Sequence, residues 1–264
     1  MIKGTTFFAA FALCLGLGLP SIAQAEEERK SPLADAPAVR RRAELRAQRF
    51  EIGVGAGATM GQDFYHAVMV NGRLAFHLTD WLSVAGWGAF NVTPTFKTSF
   101  HEKLMGALPP QMLGDDRAPT QDEATAGMNR IGEAFALQLE IVPFTGKFGL
   151  FSKLFMNYDF YAFGGPGFID FKADNPCPTA MPNRSCAVTG FKIGANFGLG
   201  MHLFANDFFA LNFELRDILV QNNPAGRDET GDFLANDRDL TWDSNFIMSL
   251  NLMFFLPGRA TISP

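Results

Sequence analysis

Phe209, Leu211, Phe213 and Leu215 alternate with Ala210, Asn212, Glu214 and Arg216, so every second side chain in this stretch is large and apolar. Successive residues of a β-strand point to opposite faces, so the stretch reads as a strand with one apolar and one wet face. The pattern leaves open which face is inside. A soluble sandwich turns the apolar face inward, whereas a membrane barrel turns it outward against lipid.

The same alternation recurs along the chain. Phe50, Ile52, Val54, Ala56 and Ala58 share a face opposite Glu51, three glycines and Thr59. After a small loop at Met60 to Phe64, Val68, Val70, Leu74, Phe76 and Leu78 oppose Asn71, Arg73 and His77. A hairpin pairing Phe50 with Leu74 and Glu51 with Arg73 would satisfy both faces. Trp81 to Phe90 is a third strand, whose glycines leave its facing open. Asn91 to about Asn129, broken by Pro94, Pro109, Pro110 and Pro119, reads as a long loop. Phe135, Leu137, Leu139 and Ile141 then oppose Gln138 and Glu140, and Pro143 to Gly146 is expected to end that strand. Lys147 to Met156 reads as a connecting element at a membrane surface, with a fifth strand from about Asn157 to Ile169. Phe191, Ile193, Ala195, Phe197, Leu199, Met201 and Leu203 oppose Lys192, Asn196 and His202. The stretch at Phe209 follows as the seventh. Phe246, Met248, Leu250, Leu252 and Phe254 oppose Asn245, Ser249 and Asn251, which completes eight candidate strands.

The start of the chain favours the membrane alternative. A basic Lys3, an apolar stretch from Phe7 to Leu19, and Ala23-Gln24-Ala25 form a secretory signal peptide, expected to be cleaved after Ala25. That stretch is shorter than the roughly 20 apolar residues a spanning helix needs. An exported chain then enters a membrane only as a closed barrel, which satisfies every backbone group internally. The connections mostly agree: short turns at Thr79, Pro143 and Asn206 alternate with long polar linkers after strands three, five and seven, the small first loop at Met60 to Phe64 being the exception to the pattern of short periplasmic turns and long outer loops. A net charge of −5 argues against nucleic acid as a partner. Cys177 and Cys186, isolated in a Pro-, Asn- and Ser-rich loop, are expected to form a disulfide in an oxidising compartment.

Four regions result: a signal peptide at 1–25, a basic N-terminal segment at 26–48, a barrel at 49–256 and a tail at 257–264. The N-terminal segment, with Arg40, Arg41, Arg42 and Arg46, reads as a solvated, flexible or helical leader. If the apolar faces meet lipid, then Phe50, Ile52, Val54, Leu74, Phe76, Phe197, Leu199, Phe209, Leu211, Phe213, Leu215, Phe246, Met248, Leu250 and Leu252 are lipid-facing. The lumen then receives Glu51, Asn71, Arg73, Glu140, Asp159, Lys192, Asn196, Asn212, Glu214 and Arg216. An eight-stranded barrel has an interior just wide enough for side chains, so these charges are expected to pair and plug it. With 28 Phe against three Trp and three Tyr, the interfacial girdle leans on Phe, supported by Trp81, Trp87, Tyr161 and Trp242.

Little else suggests chemistry. His66, His77, His101 and His202 have no Ser and Asp partners at a recognisable spacing. The acidic loop residues Asp115-Asp116, Asp122-Glu123 and the run Arg227 to Asp232 lack the order of a calcium loop. No catalytic residue, metal or cofactor is implied.

Gly146-Lys147-Phe148, Tyr158-Asp159-Phe160-Tyr161 with Gly164-Gly165, Asn196-Phe197-Gly198-Leu199-Gly200, and Glu214-Leu215-Arg216-Asp217 resemble the outer-membrane β-barrel domain proteins found mainly in myxobacteria and related bacteria. The resemblance covers about residues 49–256 and implies an eight-stranded outer-membrane barrel without a settled activity. Some similar barrels are associated with gliding-motility envelope complexes. One departure is the end of the chain, where Phe254-Phe255-Leu256 is followed by a tail rather than a terminal aromatic.

The expectation is therefore an all-β, eight-stranded antiparallel transmembrane up-and-down barrel in the outer membrane. It is non-enzymatic, an envelope structural or interaction component that meets lipid and contacts other envelope proteins through its loops or N-terminal segment. The alternatives are a small channel for ions or solutes, and a soluble periplasmic β-sandwich or lipocalin-like carrier.

Overall fold

The computed structural model describes residues 46–92, 96–109, 120–150, 154–173, 187, 189–223 and 239–257, all within one compact unit. Twelve elements follow in chain order: β1 (Phe50–Met60), β2 (Tyr65–His66), β3 (Val68–His77), β4 (Leu82–Asn91), β5 (Phe96–Lys97), α1 (Ser99–Ala107), α2 (Gln121–Ala126), β6 (Asn129–Leu150), β7 (Leu154–Ala173), β8 (Gly190–Phe204), β9 (Phe209–Asn222) and β10 (Thr241–Leu256). Eight of these strands close into a barrel in the order β1-β10-β9-β8-β7-β6-β4-β3, each pairing antiparallel with its neighbours. Closure removes the exposed edges that an open sheet would present.

The short turns form as their residue types dictate. Thr79 Oγ1 accepts from the backbone N–H groups of Trp81 and Leu82 at 3.3 and 3.0 Å, and Asn206 Oδ1 accepts from those of Phe208 and Phe209 at 2.9 and 2.8 Å. Each side chain closes its own turn, as Thr and Asn do in tight connections.

Three features differ from the sequence expectation. The β1–β3 hairpin pairs Phe50 with Phe76 and Ile52 with Leu74, two residues along from the expected register. A two-residue shift keeps every side chain on its face. It brings the Phe50 and Phe76 rings to 4.8 Å, while Arg73 still reaches Glu51 diagonally at 3.0 Å.

Secondly, Pro143 does not end its strand. β6 runs on to Leu150 and pairs with β7 down to Leu150–Leu154, so Lys147 to Leu150 and Leu154 to Met156 are paired strands rather than a surface connector. A register shift between Ile141 and Phe144 accommodates the proline. The last β4 contact of β6 is the Val142 N–H donating to the Trp81 carbonyl at 2.9 Å, so Pro143 sits at a bulge where β6 has become an edge strand, a position that tolerates proline. Because β8 first meets β7 at Asn157, the hairpin projects beyond the rim that carries the short turns.

Thirdly, the segment expected to be a loop is partly folded into a lid at the opposite rim. β5 pairs with β2, and α1 starts at Thr98, whose Oγ1 accepts from the His101 N–H at 3.1 Å. Phe64, Tyr65 and Met128 form the lid's apolar centre, with Leu104, Met105 and Ala124 packed against it. Cys177, Cys186, Asp115, Asp116, the run Arg227 to Asp232 and residues 1–45 lie outside the described residues.

Candidate functional site

The interior of the barrel is the site that the fold builds, and strand alternation decides what enters it. Glu51, Asn71, Arg73, Glu140, Asp159, Asn196, Asn212, Glu214 and Arg216 all point inward and are buried. Lys192 shares that face but is half-buried near the lid-side rim. The fifteen apolar residues assigned to the other face all point outward, with Leu199 64% and Met248 55% exposed. Phe76, Phe209 and Leu211 are the half-covered ones among them.

The inward side chains stack in three layers. Nearest the short turns lie Phe204, Ala210, Met253 and Phe255. Nearest the lid is a larger apolar layer that includes Met69, Ala89, Ile131, Ile169, Ile218, Val220 and Ile247. The charged network sits between.

Arg73 is the hub of that network. Its Nη2 donates to both carboxylate oxygens of Glu140 at 2.5 Å, and its Nη1 lies 3.0 Å from Glu51 and donates to the Tyr161 hydroxyl at 3.1 Å. Glu140 also accepts from Ser83 Oγ and Gln138 Nε2, each at 2.7 Å. The Tyr161 hydroxyl donates to Glu214 at 2.9 Å and accepts from Asn212 at 2.7 Å. Glu214 in turn holds Arg216 at 2.5 Å. Arg216 donates onward to Gln138 and Asn196, and its guanidinium lies 4.1 Å from the Trp87 ring centroid and 4.5 Å from that of Phe163. This desolvated aromatic clamp is the strong form of the cation–π contact.

A second branch leads toward the short turns. Glu51 meets His77 at 2.9 Å and His202 at 3.4 Å, and His202 bonds Asp159 at 2.9 Å while stacking on Tyr161 at 4.7 Å. Arg46 closes the branch, its guanidinium 2.7 Å from Asp159. Its backbone N–H donates to Asp80 Oδ1 at 2.7 Å. Arg49 lies 5.4 Å from the Phe255 ring centroid and donates to the Pro257 carbonyl at 3.0 Å. Buried charges persist only when paired and hydrogen-bonded, and Glu51, Glu140, Asp159 and Glu214 each have at least one basic partner.

Wall glycines make room for these side chains. A Cβ at Gly200 would enter the Tyr161 ring, one at Gly198 the Phe163 ring and one at Gly53 the Met253 sulfur.

Three sequence assignments need correction. Trp87 and Tyr161 are 4% and 2% exposed and belong to the lumen, not to an interfacial girdle. Tyr161 shares the parity of Asp159, a signal that was legible, whereas Trp87 lies among the glycines that obscured the facing of β4. Arg46 is not part of a solvated leader, since it is 1% exposed inside the barrel mouth. It precedes the first strand, so no periodicity could have placed it. The structure also recruits His77, His202, Gln138 and Ser83, the first three of which share the wet faces read from sequence.

No family model matches the chain, and no curated protein does. Among solved structures it is similar to the N-terminal β-barrel domain of Pseudomonas aeruginosa OprF, at 12% identity and a TM-score of 0.42 over 80% of this chain and 98% of that one. It is likewise similar to the outer membrane protein OprG of Pseudomonas aeruginosa, at 10% identity and a TM-score of 0.42 over 80% and 97%. Ail, the attachment invasion locus protein of Yersinia pestis, follows at 8% identity and a TM-score of 0.37 over 80% and 99%. Likeness at this level is one of outline only.

Proposed function

We propose that this chain is exported, cleaved after Ala25 and inserted in the outer membrane as a closed, non-enzymatic barrel that serves as an envelope structural or interaction component. The observation that carries this reading is the inverted polarity of the barrel: charges fill the interior, and the outward face is predominantly apolar, Asp217 on it being covered by Ser244 Oγ and the Asn245 N–H. Ile193 is 69% exposed, Leu137 59% and Leu250 46%, on three different strands. Soluble monomers rarely carry so extended an apolar surface, and this polarity argues against a soluble carrier with its apolar faces turned inward. The 10 to 11 residues of β1, β3 and β4 match the roughly 9–11 that a tilted strand needs to cross the hydrocarbon core. Trp81 beside a short turn and Trp242 near the lid-side rim are both exposed, as interfacial anchors at the two headgroup levels would be.

The lumen supports a plug rather than a channel, because the apolar layer on the lid side lies across the same interior as the charged network. Planar-bilayer recording of the folded monomer tests this: the reading expects insertion without steps of substantial conductance, and such steps would contradict it. The histidines support a structural role: His77 and His202 are held by carboxylates inside the barrel, and His101 packs against Tyr65 at 4.9 Å in the lid. Hydrolysis of a lipid or peptide substrate that is lost in a His66 or His101 variant would overturn the non-enzymatic assignment. Crosslinking in cells followed by co-purification addresses its protein partners.

A further inference from the structure

An apolar groove of about 540 Å³ opens on the outward face across β1, β3, β4 and β6. Gly72, Gly86 and Gly88 form its floor, Gly72 lying directly opposite Gly88 and Gly86 opposite Leu74. Ile52, Leu74, Phe135 and Leu137 stand around it. Arg73 and Trp87 also border it, but their charged and indole ends go to the lumen network described above.

The fold does not require two of these glycines. A Cβ on Gly72 would come no nearer than 3.9 Å to another atom, and one on Gly86 no nearer than 3.7 Å, which is ordinary contact. At Gly55, Gly165 and Gly194 a Cβ would instead run into the backbone of the neighbouring strand. The depression is therefore not a by-product of what packs inside the barrel.

We propose that this groove binds one hydrocarbon chain of a membrane lipid as an ordered, retained ligand. The inference rests on the outward face being the lipid face, and the groove is continuous with that face through Val54, Leu74 and Leu139. Its side walls are apolar, so the occupant gains dispersion contacts, and a glycine floor lets a chain approach the backbone closely. The volume falls in the range of small-molecule sites, about 300–1,000 Å³.

Native mass spectrometry of the detergent-solubilised protein mixed with dipalmitoyl phosphatidylethanolamine tests the proposal. Wild type is expected to keep one lipid under activation that strips the rest. Gly86→Leu fills the floor and should lower that retention about five-fold, the scale of losing one or two methylene contacts. Leu199→Ala, on the far wall, should leave it unchanged. Heat-modifiable mobility reports whether each variant is folded; if Gly86→Leu is not, Gly72→Ala, for which there is space, should still weaken retention. Equal retention in wild type and folded groove variants overturns the lipid site while leaving the barrel reading intact. A dimer that is lost on filling the groove assigns it to a second copy and also overturns the proposal. A wild type that stays soluble without heat-dependent migration fails earlier, at the membrane reading itself.

Discussion

Arg73 shows how much one side chain carries in a barrel of this width. It neutralises Glu140 and Glu51 and orients Tyr161 through a single guanidinium. Truncation in Arg73→Ala leaves two buried carboxylates without their main counter-charge, which should cost about 3–5 kcal/mol. Urea unfolding of the protein in lipid vesicles, followed by tryptophan fluorescence, measures this; a loss below about 1 kcal/mol would mean that the network is far more hydrated than the geometry indicates. Gly200→Val tests the same layer from the wall side. Its Cβ meets the Tyr161 ring, so overpacking should destabilise by about 1–3 kcal/mol in the same assay. At this scale the sequence was legible wherever period-two alternation was clean, as at Glu51, Glu140 and Glu214. It misled where residue type was weighed above parity, as at Tyr161. It was silent where no strand exists, as at Arg46.

The elements depart from a minimal barrel in two places, and each departure has a local cause. The β6–β7 hairpin outruns its neighbours because the bulge at Ile141–Phe144 absorbs Pro143 on a free edge. Proline is a reliable stop only inside a sheet, which is why sequence reasoning ended the strand there. Joining Lys147 to Asn157, which face each other across the hairpin, through Asn-Gly removes the projecting part; the barrel should keep its heat-modifiable mobility and lose less than about 1 kcal/mol. A failure to fold would show that the projection is needed for barrel assembly. In the lid, Thr98→Ala removes the cap of α1 and should cost that helix about 1 kcal/mol. Hydrogen exchange should then rise at α1 and remain unchanged in β8 and β9, and a uniform rise would contradict an independently frayed lid. The helix was hidden by the prolines around it, although Thr98 ahead of Glu102 was a usable start signal.

For the whole molecule, the number of barrel strands followed from alternation, and the closed order β1-β10-β9-β8-β7-β6-β4-β3 agrees with it, while the short turn expected at Pro143 lies instead beyond Leu150. Layering did not follow. The sequence offered a list of inward polar residues, but the two apolar layers that bracket them depend on the register between strands, which alternation fixes only to within two residues. The central claim is the direction of the faces, and a lipid-borne spin label reads it directly. Methyl NMR spectra of the protein in bilayers containing doxyl-labelled lipid should show strong broadening at Leu199, Leu215, Leu250 and Leu252, and little at Ile169, Ile218, Ile247 and Met253. Broadening of the second set with sparing of the first would contradict an outward apolar face in lipid.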